Sequence, residues 1–212
     1  MRLCDIKVEA LKLMFVKYDN IDLQSVSLDQ LALDENYGNY LVNMTGSINR
    51  CFSNLETKGV LPVKTHNLQH SDGNPSGPLL RFNLNDLIKD LFEIERIVYR
   101  GKNGEYISEC EYRKEGDILV VDDIETGDYY TVLYKPALPR ITPTTDNAMV
   151  LPIPDNIAAY IPYFIKGDLY RDDEPSEASE ARNWYEAAME EILGAKVNKV
   201  NRVQSVYSQT ET

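Results

Sequence analysis

The hydrophobic positions of this chain change period twice. From Leu3 to Val16, the residues Leu3, Ile6, Ala10, Leu13 and Met14 fall on one side at helical spacing, with Lys7, Glu9, Lys12 and Lys17 mostly elsewhere. Ser27-Leu28-Asp29-Gln30 then fits a capping box, a Ser hydroxyl for the backbone with Gln three residues on. Beyond it Tyr37, Leu41, Met44, Ile48, Cys51, Phe52 and Leu55 recur at three and four. That spacing predicts a long helix to about Lys58, with room for a break near Asp34 to Gly38. Gly59 suits its left-handed cap, and Pro62 prevents resumption.

Residues 64–79 hold His66, His70, Gly73, Pro75, Gly77 and Pro78, and read as loop with at most a short strand. From Leu80 to Leu138 the period shortens. Phe92, Ile94, Arg96 and Val98 alternate with Glu93, Glu95 and Ile97; further runs follow at Tyr106–Tyr112, Ile118–Val121 and Tyr129–Tyr134. Gly104, Gly116 and Gly127 sit in the short turns between them, so an antiparallel meander of at least four strands is expected. Five prolines from Pro136 to Pro154 then make an extended connector.

Helical spacing returns at the end. Asp155-Asn156 can cap a helix carrying Ile157, Ile161, Phe164, Ile165 and Leu169 on one face, with Pro162 kinking it or shortening its first turns. Pro175 opens a second helix whose inner face is Ala181, Tyr185, Ala188 and Ile192, with Trp184 and Met189 at its edge and a stop at Gly194. In the tail, Val197, Val200, Val203 and Val206 recur every third residue, followed by Tyr207. Three accounts stay open for it: a disordered tail, a helix continued past Gly194, or an arm that orders on a partner.

The expected fold class is α+β. Residues 1–63 and 151–194 supply the helices of one bundle, 64–150 an inserted antiparallel β-meander or sandwich module, and 195–212 an extended arm. The bundle core is assigned to Leu13, Leu41, Ile48, Leu55, Ile161, Phe164, Ile165, Tyr185 and Ile192.

Charge narrows the function. With 34 acidic against 22 basic residues the net charge is −12, which repels a phosphate backbone, and no basic stripe offsets it. Cys4, Cys51 and Cys110 are odd in number and far apart, which fits neither a disulfide framework nor a C-x-x-C pair. Asp5, Lys7 and Glu9 interrupt any signal-like apolar run and no stretch has the length to cross a bilayer, so cytoplasmic synthesis is expected.

Candidate chemistry is thin. His66 and His70 have the i, i+4 spacing of a helical metal pair, but the surrounding Gly and Pro place them by a loop. Asp122-Asp123 and Asp172-Asp173-Glu174 could in principle divide acid and base roles, yet sit at a strand end and in a turn before a helix. No nucleophile elbow or phosphate loop occurs, so no catalytic residue, metal or cofactor is assigned. Tyrosine is abundant, with 14 residues, and suits either core or interface.

One stretch carries a resemblance: Leu151-Pro-Ile-Pro-Asp155, Ile161-Pro-Tyr-Phe164, Asp168-Leu-Tyr170, Asp172-Asp173, Ala181, Trp184-Tyr185-Glu186 and Ile192. It resembles the terminal helix pair of tailed-bacteriophage head–tail connector (adaptor) proteins. The resemblance covers about half the chain by pattern, and the β-module sets this chain apart from the smallest adaptors. It implies a structural, non-enzymatic subunit of the virion neck, assembled in the bacterial cytoplasm. Copies would form a ring, commonly of twelve, between the portal protein and a downstream tail component, with double-stranded DNA passing through the lumen. Val197, Val200, Val203, Val206 and Tyr207 would dock on the portal. Competing expectations are another tail-completion or baseplate protein, and a small hydrolase with a dispersed site.

Overall fold

The computed structural model describes residues 1–15, 28–33 and 37–207, with residues 29–30 and 197–207 described by backbone alone. The chain divides into two compact units. One is discontinuous and helical, Met1–Val60 with Arg140–Thr212; the other, Leu61–Pro139, is the insertion. The helical unit thus reclaims residues 140–150, which the proline connector had placed with the β-module.

In the helical unit α1 (Leu3–Phe15) buries Leu3, Ile6, Ala10, Leu11 and Met14. Leu13 is only half-buried, so Leu11 takes the place expected for it. At roughly 100° per residue Leu13 lies about 65° from the centre of the stripe and Leu11 about 95° away on the opposite flank, so spacing alone favours Leu13 and tertiary packing decides for Leu11. The first N–H groups of α1 find partners outside the helix: Leu3 donates to the carbonyl of Met149 and Cys4 to that of Asn147, each at 2.9 Å. A four-residue turn, α2 (Leu28–Leu31), precedes α3 (Gly38–Lys58). Ser27 of the expected capping box, Val16, and residues 34–36 of the expected break lie outside the described residues.

Helix α3 buries Met44, Ile48, Cys51, Phe52 and Leu55 at spacings of three and four, while Leu41 stays half-buried near its start. It ends at Gly59, whose φ of 66° is left-handed and whose N–H reaches the carbonyls of Leu55 and Glu56.

The insertion contains eight strands and one short helix, α4 (Leu84–Leu87). In chain order these strands are β1 (Lys64–Gln69), β2 (Asn74–Ser76), β3 (Leu79–Asn83), β4 (Leu91–Arg100), β5 (Tyr106–Cys110), β6 (Arg113–Glu115), β7 (Ile118–Asp122) and β8 (Tyr129–Pro136). Every pairing is antiparallel, but the strands do not run as one meander. They form two four-stranded sheets, ordered β1-β8-β4-β5 and β2-β3-β7-β6. The turns at Gly77, Gly104 and Gly116, all with positive φ, close hairpins. The turn at Gly127 joins β7 to β8, which lie in different sheets. Local turn chemistry signals a reversal; which sheet the chain re-enters is decided by burial.

Both sheets feed one core. Leu68 of β1, Ile97 of β4 and Tyr130, Val132 and Tyr134 of β8 join Leu80 and Phe82 of β3 and Leu119 and Val121 of β7. Strand β4 does not alternate as expected. Two register shifts, between Leu91 and Glu93 and between Ile94 and Arg96, each add a residue, so the inward positions become Leu91, Ile94, Ile97 and Tyr99. Phe92 is left 42% exposed.

The returning chain forms α5 (Asp155–Ala158), α6 (Ile161–Leu169) and α7 (Pro175–Tyr207). Pro162 occupies the first turn of α6, where its missing N–H costs nothing, and the expected single helix is split ahead of it. Asp155 is the first residue of α5 and Pro154 its cap, so the expected Asp155-Asn156 cap shifts by one. Helix α6 is the hub: it meets α1, α3 and α7. Ile161, Phe164 and Ile165 are buried there, against Tyr185 and Met189 of α7 among the other core residues, while Ile192 is half-buried. Gly167 lets the two helices close, since a Cβ there would lie 3.1 Å from the carbonyl oxygen of Ala178.

Helix α7 does not stop at Gly194, and the backbone of 195–207 is helical instead of an extended arm. A single exposed Gly costs a helix only about 1 kcal/mol. Glu190, Glu191, Leu193, Ala195 and Lys196 on either side are strong helix formers. Lys196 adds a reason, donating to the carbonyl of Gly59 at 3.0 Å and placing its charge at the negative end of α3.

Candidate functional site

The residues that could carry chemistry are dispersed, and several are held by structural partners. His66 lies on β1 opposite Val132, and His70 begins a 3₁₀ turn with its Nε2 3.2 Å from Asp123 Oδ1. An extended strand thus separates two histidines that a helix would have set on one face. Asp122 and Asp123 diverge. The carbonyl of Asp122 accepts the Tyr130 hydroxyl at 2.8 Å, whereas the Asp123 carboxylate accepts the Ile124 N–H at 2.9 Å besides facing His70. In the turn before α7, Asp173 accepts the Tyr40 hydroxyl at 2.9 Å. No three His, Cys, Asp or Glu side chains converge on a metal-sized space among the described residues.

Two thiols and several phenols have their titration raised. Burial pushes the Cys51 thiol up to about 12, and it raises that of Cys110 as well. A thiol so placed is a core side chain, not a nucleophile. The Tyr99 phenol is pushed up to about 12, first by its 2.6 Å hydrogen bond to Asp128, and Tyr134 to about 12 by burial and then by its bond to Asp90. Tyr130, Tyr170 and Tyr185 are raised further by burial. These tyrosines peg the fold from inside: Tyr185 donates to Asn54 at 2.9 Å and Tyr170 to the carbonyl of Met14. Phe15, Tyr37, Tyr40 and Tyr170 form an edge-to-face aromatic cluster, with Phe15 and Tyr37 centroids 4.7 Å apart.

Sequence reasoning missed the clamp that fixes the returning chain. Asn49 of α3 donates to the carbonyl of Ile141 at 2.7 Å and accepts its N–H at 2.8 Å, acting as a one-residue strand. Seven residues on, the almost fully buried Glu56 accepts Arg140 Nη2 at 2.7 Å. The available signal was Glu56, a carboxylate at a buried position of α3, with Asn49 half-buried at the edge of the same face.

In the helical unit Leu33, Val42, Val150 and Trp184 are exposed. An open groove of about 390 Å³ between α6 and α7 is lined by Asp168, Arg171 and Arg182 among others. Arg50 already pairs with Asp168, and Arg182 lies 4.3 Å from the Phe164 ring, so its charges are engaged. In the sheet unit Tyr106 and Ile107 of β5 are 62% and 46% exposed, and Tyr112 and Ile118 also face solvent. The backbone of Val197, Val200, Val203, Val206 and Tyr207 is helical, and their side chains lie outside the described residues. No helix among the described residues is long and apolar enough to cross a membrane.

No protein-family model matches the chain, and no curated protein matches it.

Proposed function

We propose that this chain is a structural subunit of the neck of a tailed bacteriophage, a head-to-tail adaptor whose copies ring a DNA channel between portal and tail. The observation that supports the reading is the discontinuous helical unit. The chain leaves it after α3 at Val60 and returns at Arg140, and the returning segment supplies the helix pair that carries the adaptor-like pattern. Within that pattern Phe164 and Tyr185 stack edge to face at 5.0 Å, so two of its aromatic positions lie at the seam of the helix pair. The negative charge of −12 suits a channel wall that must not grip a passing duplex. In this reading the sheet unit meets the next tail component and residues 197–207 dock on the portal.

Co-expression with the portal protein of the same phage tests it. Co-purification and ring-shaped particles in negative stain are expected. Neither ring nor portal binding overturns the reading, and association with tail tube instead would assign the chain to the tail or baseplate.

A further inference from the structure

The two sheets of the insertion treat their edges differently. The β2-β3-β7-β6 sheet is blunted at both ends. Strand β2 is Asn74-Pro75-Ser76, three residues with a central proline, and β6 is Arg113-Lys114-Glu115, three charged residues in a row. These are common devices against edge-to-edge pairing. The β1-β8-β4-β5 sheet has neither. Strand β1 runs six residues and β5 five, both without proline and with a single acidic or lysine residue each, Lys64 and Glu109. Among the described residues each pairs on one side only, so alternate residues turn their N–H and C=O groups away from the sheet. Strand β5 adds Tyr106 and Ile107, two large apolar side chains left in water.

We propose that β1 of one copy pairs with β5 of the next, extending the first sheet from copy to copy. Direction permits it. All three pairings in the sheet are antiparallel, so with an even number of strands β1 and β5 run oppositely, and joining them continues the alternation. Charge disfavours the β5–β5 alternative. The segment around β5 carries Glu105, Glu109 and Glu111 and no base; that around β1 carries Lys64, His66 and His70 and no acid, with Lys64 also paired to Asp90 and His70 facing Asp123 within the copy. Pairing β5 with β5 sets acid against acid, whereas β1 against β5 sets base against acid. Such a contact is heterologous, using a different patch on each partner, and therefore builds rings or filaments, not closed dimers. It goes beyond the adaptor reading by naming the lateral contact, and it stands on the edges alone.

Cysteine cross-linking of the full chain tests it. Thr65→Cys on β1 and Ile107→Cys on β5 are introduced singly and together, with Cys4→Ser and Cys110→Ala to remove the accessible native thiols. With a short bis-maleimide, the two single variants should cross-link when mixed and neither alone, and the double variant should give a ladder beyond the dimer. Cross-linking of either single variant with itself overturns the proposal, as does a chain that stays monomeric at its highest soluble concentration. An independent arm keeps the native cysteines. By sedimentation, Ile107→Lys should raise the self-association Kd about tenfold, while Lys114→Ala on the blunted β6 leaves it unchanged; equal effects overturn the proposal. Portal co-purification is scored separately. A ladder without portal binding upholds the edge contact and sinks the adaptor reading; portal-bound rings without a ladder do the reverse.

Discussion

The helical unit is organised around one helix, whereas the core of the sheet unit is spread over two sheets. Helix α6, nine residues long, touches α1, α3 and α7, so three apolar stripes converge on Ile161, Phe164 and Ile165. In the sheet unit the core is assembled from β1, β3, β4, β7 and β8, each contributing one to three side chains. A hub concentrates energy in a few residues separated in sequence from those they stabilise. A distributed core spreads it, and tolerates β5 and β6 remaining largely in solvent. The difference teaches where each unit can spare residues for contact: the helical unit at its margins, the sheet unit along whole strands.

The sharpest way to break this contrast is to remove the hub. Phe164→Ala should cost the helical unit about 3–5 kcal/mol. Urea unfolding followed by Trp184, the sole tryptophan and a reporter of that unit, should show an early transition. Far-ultraviolet dichroism should retain a later β-rich one if the sheet unit stands by itself. Gly73→Ala is the matching insult to the sheet unit. Its Cβ would lie 2.6 Å from Cγ of the buried Leu80, and the forced shift should cost about 1–3 kcal/mol, visible by dichroism with the Trp184 transition unmoved.

Asn49→Ala should remove about 1–2 kcal/mol from the helical unit by leaving the Ile141 backbone unpaired, and hydrogen exchange at Ile141 should rise with it. Alkaline melts probe the other unit. The folded Tyr99 phenol is raised to about 12 from an ordinary 10, so its contribution is complete below pH 10 and is lost as pH climbs to about 12. Tyr99→Phe should be less stable than the parent at pH 8, and that gap should narrow between pH 10 and 12 in the sheet-unit transition. The smallest effect has the opposite sign. Ser47 is fully buried and its hydroxyl has no partner among the described residues, so Ser47→Ala should raise stability by about 0.5–1 kcal/mol in urea titrations.

How far the fold was legible in the sequence follows the same division. Helical stripes were readable because their period survives tertiary packing, and Gly59 was readable because its left-handed cap is a local demand. Leu11 against Leu13 was not, because the two lie on opposite flanks of the stripe and packing partners, not spacing, decide between them. Gly194 signals a stop only if nothing beyond it gains by staying helical, and the Lys196 contact with Gly59 spans 137 residues. In the insertion the turns were visible but the sheet assignment was not. Bulges in β4 shift the inward positions by one, and no local pattern states that the strand after Gly127 joins another sheet. The carboxylate pairs were legible as a strand end and a turn before a helix, whereas His66 lies on a strand where mostly loop was expected. The Asn49 clamp and the unblunted edges of β1 and β5 depend on which neighbours are present, which one sequence does not specify.

The central place of α6 also bears on how the protein is made. A ribosome releases α3 about 100 residues before α6, which at ordinary synthesis rates is on the order of ten seconds. For that interval the stripe of Met44, Ile48, Cys51, Phe52 and Leu55 has no hub to cover it. The whole of Leu61–Pro139 emerges meanwhile and, at the millisecond-to-second rates of small β-folds, can finish folding first. Nascent chains should therefore carry a completed sheet unit beside an uncovered helix, the interval in which a chaperone has most to hold.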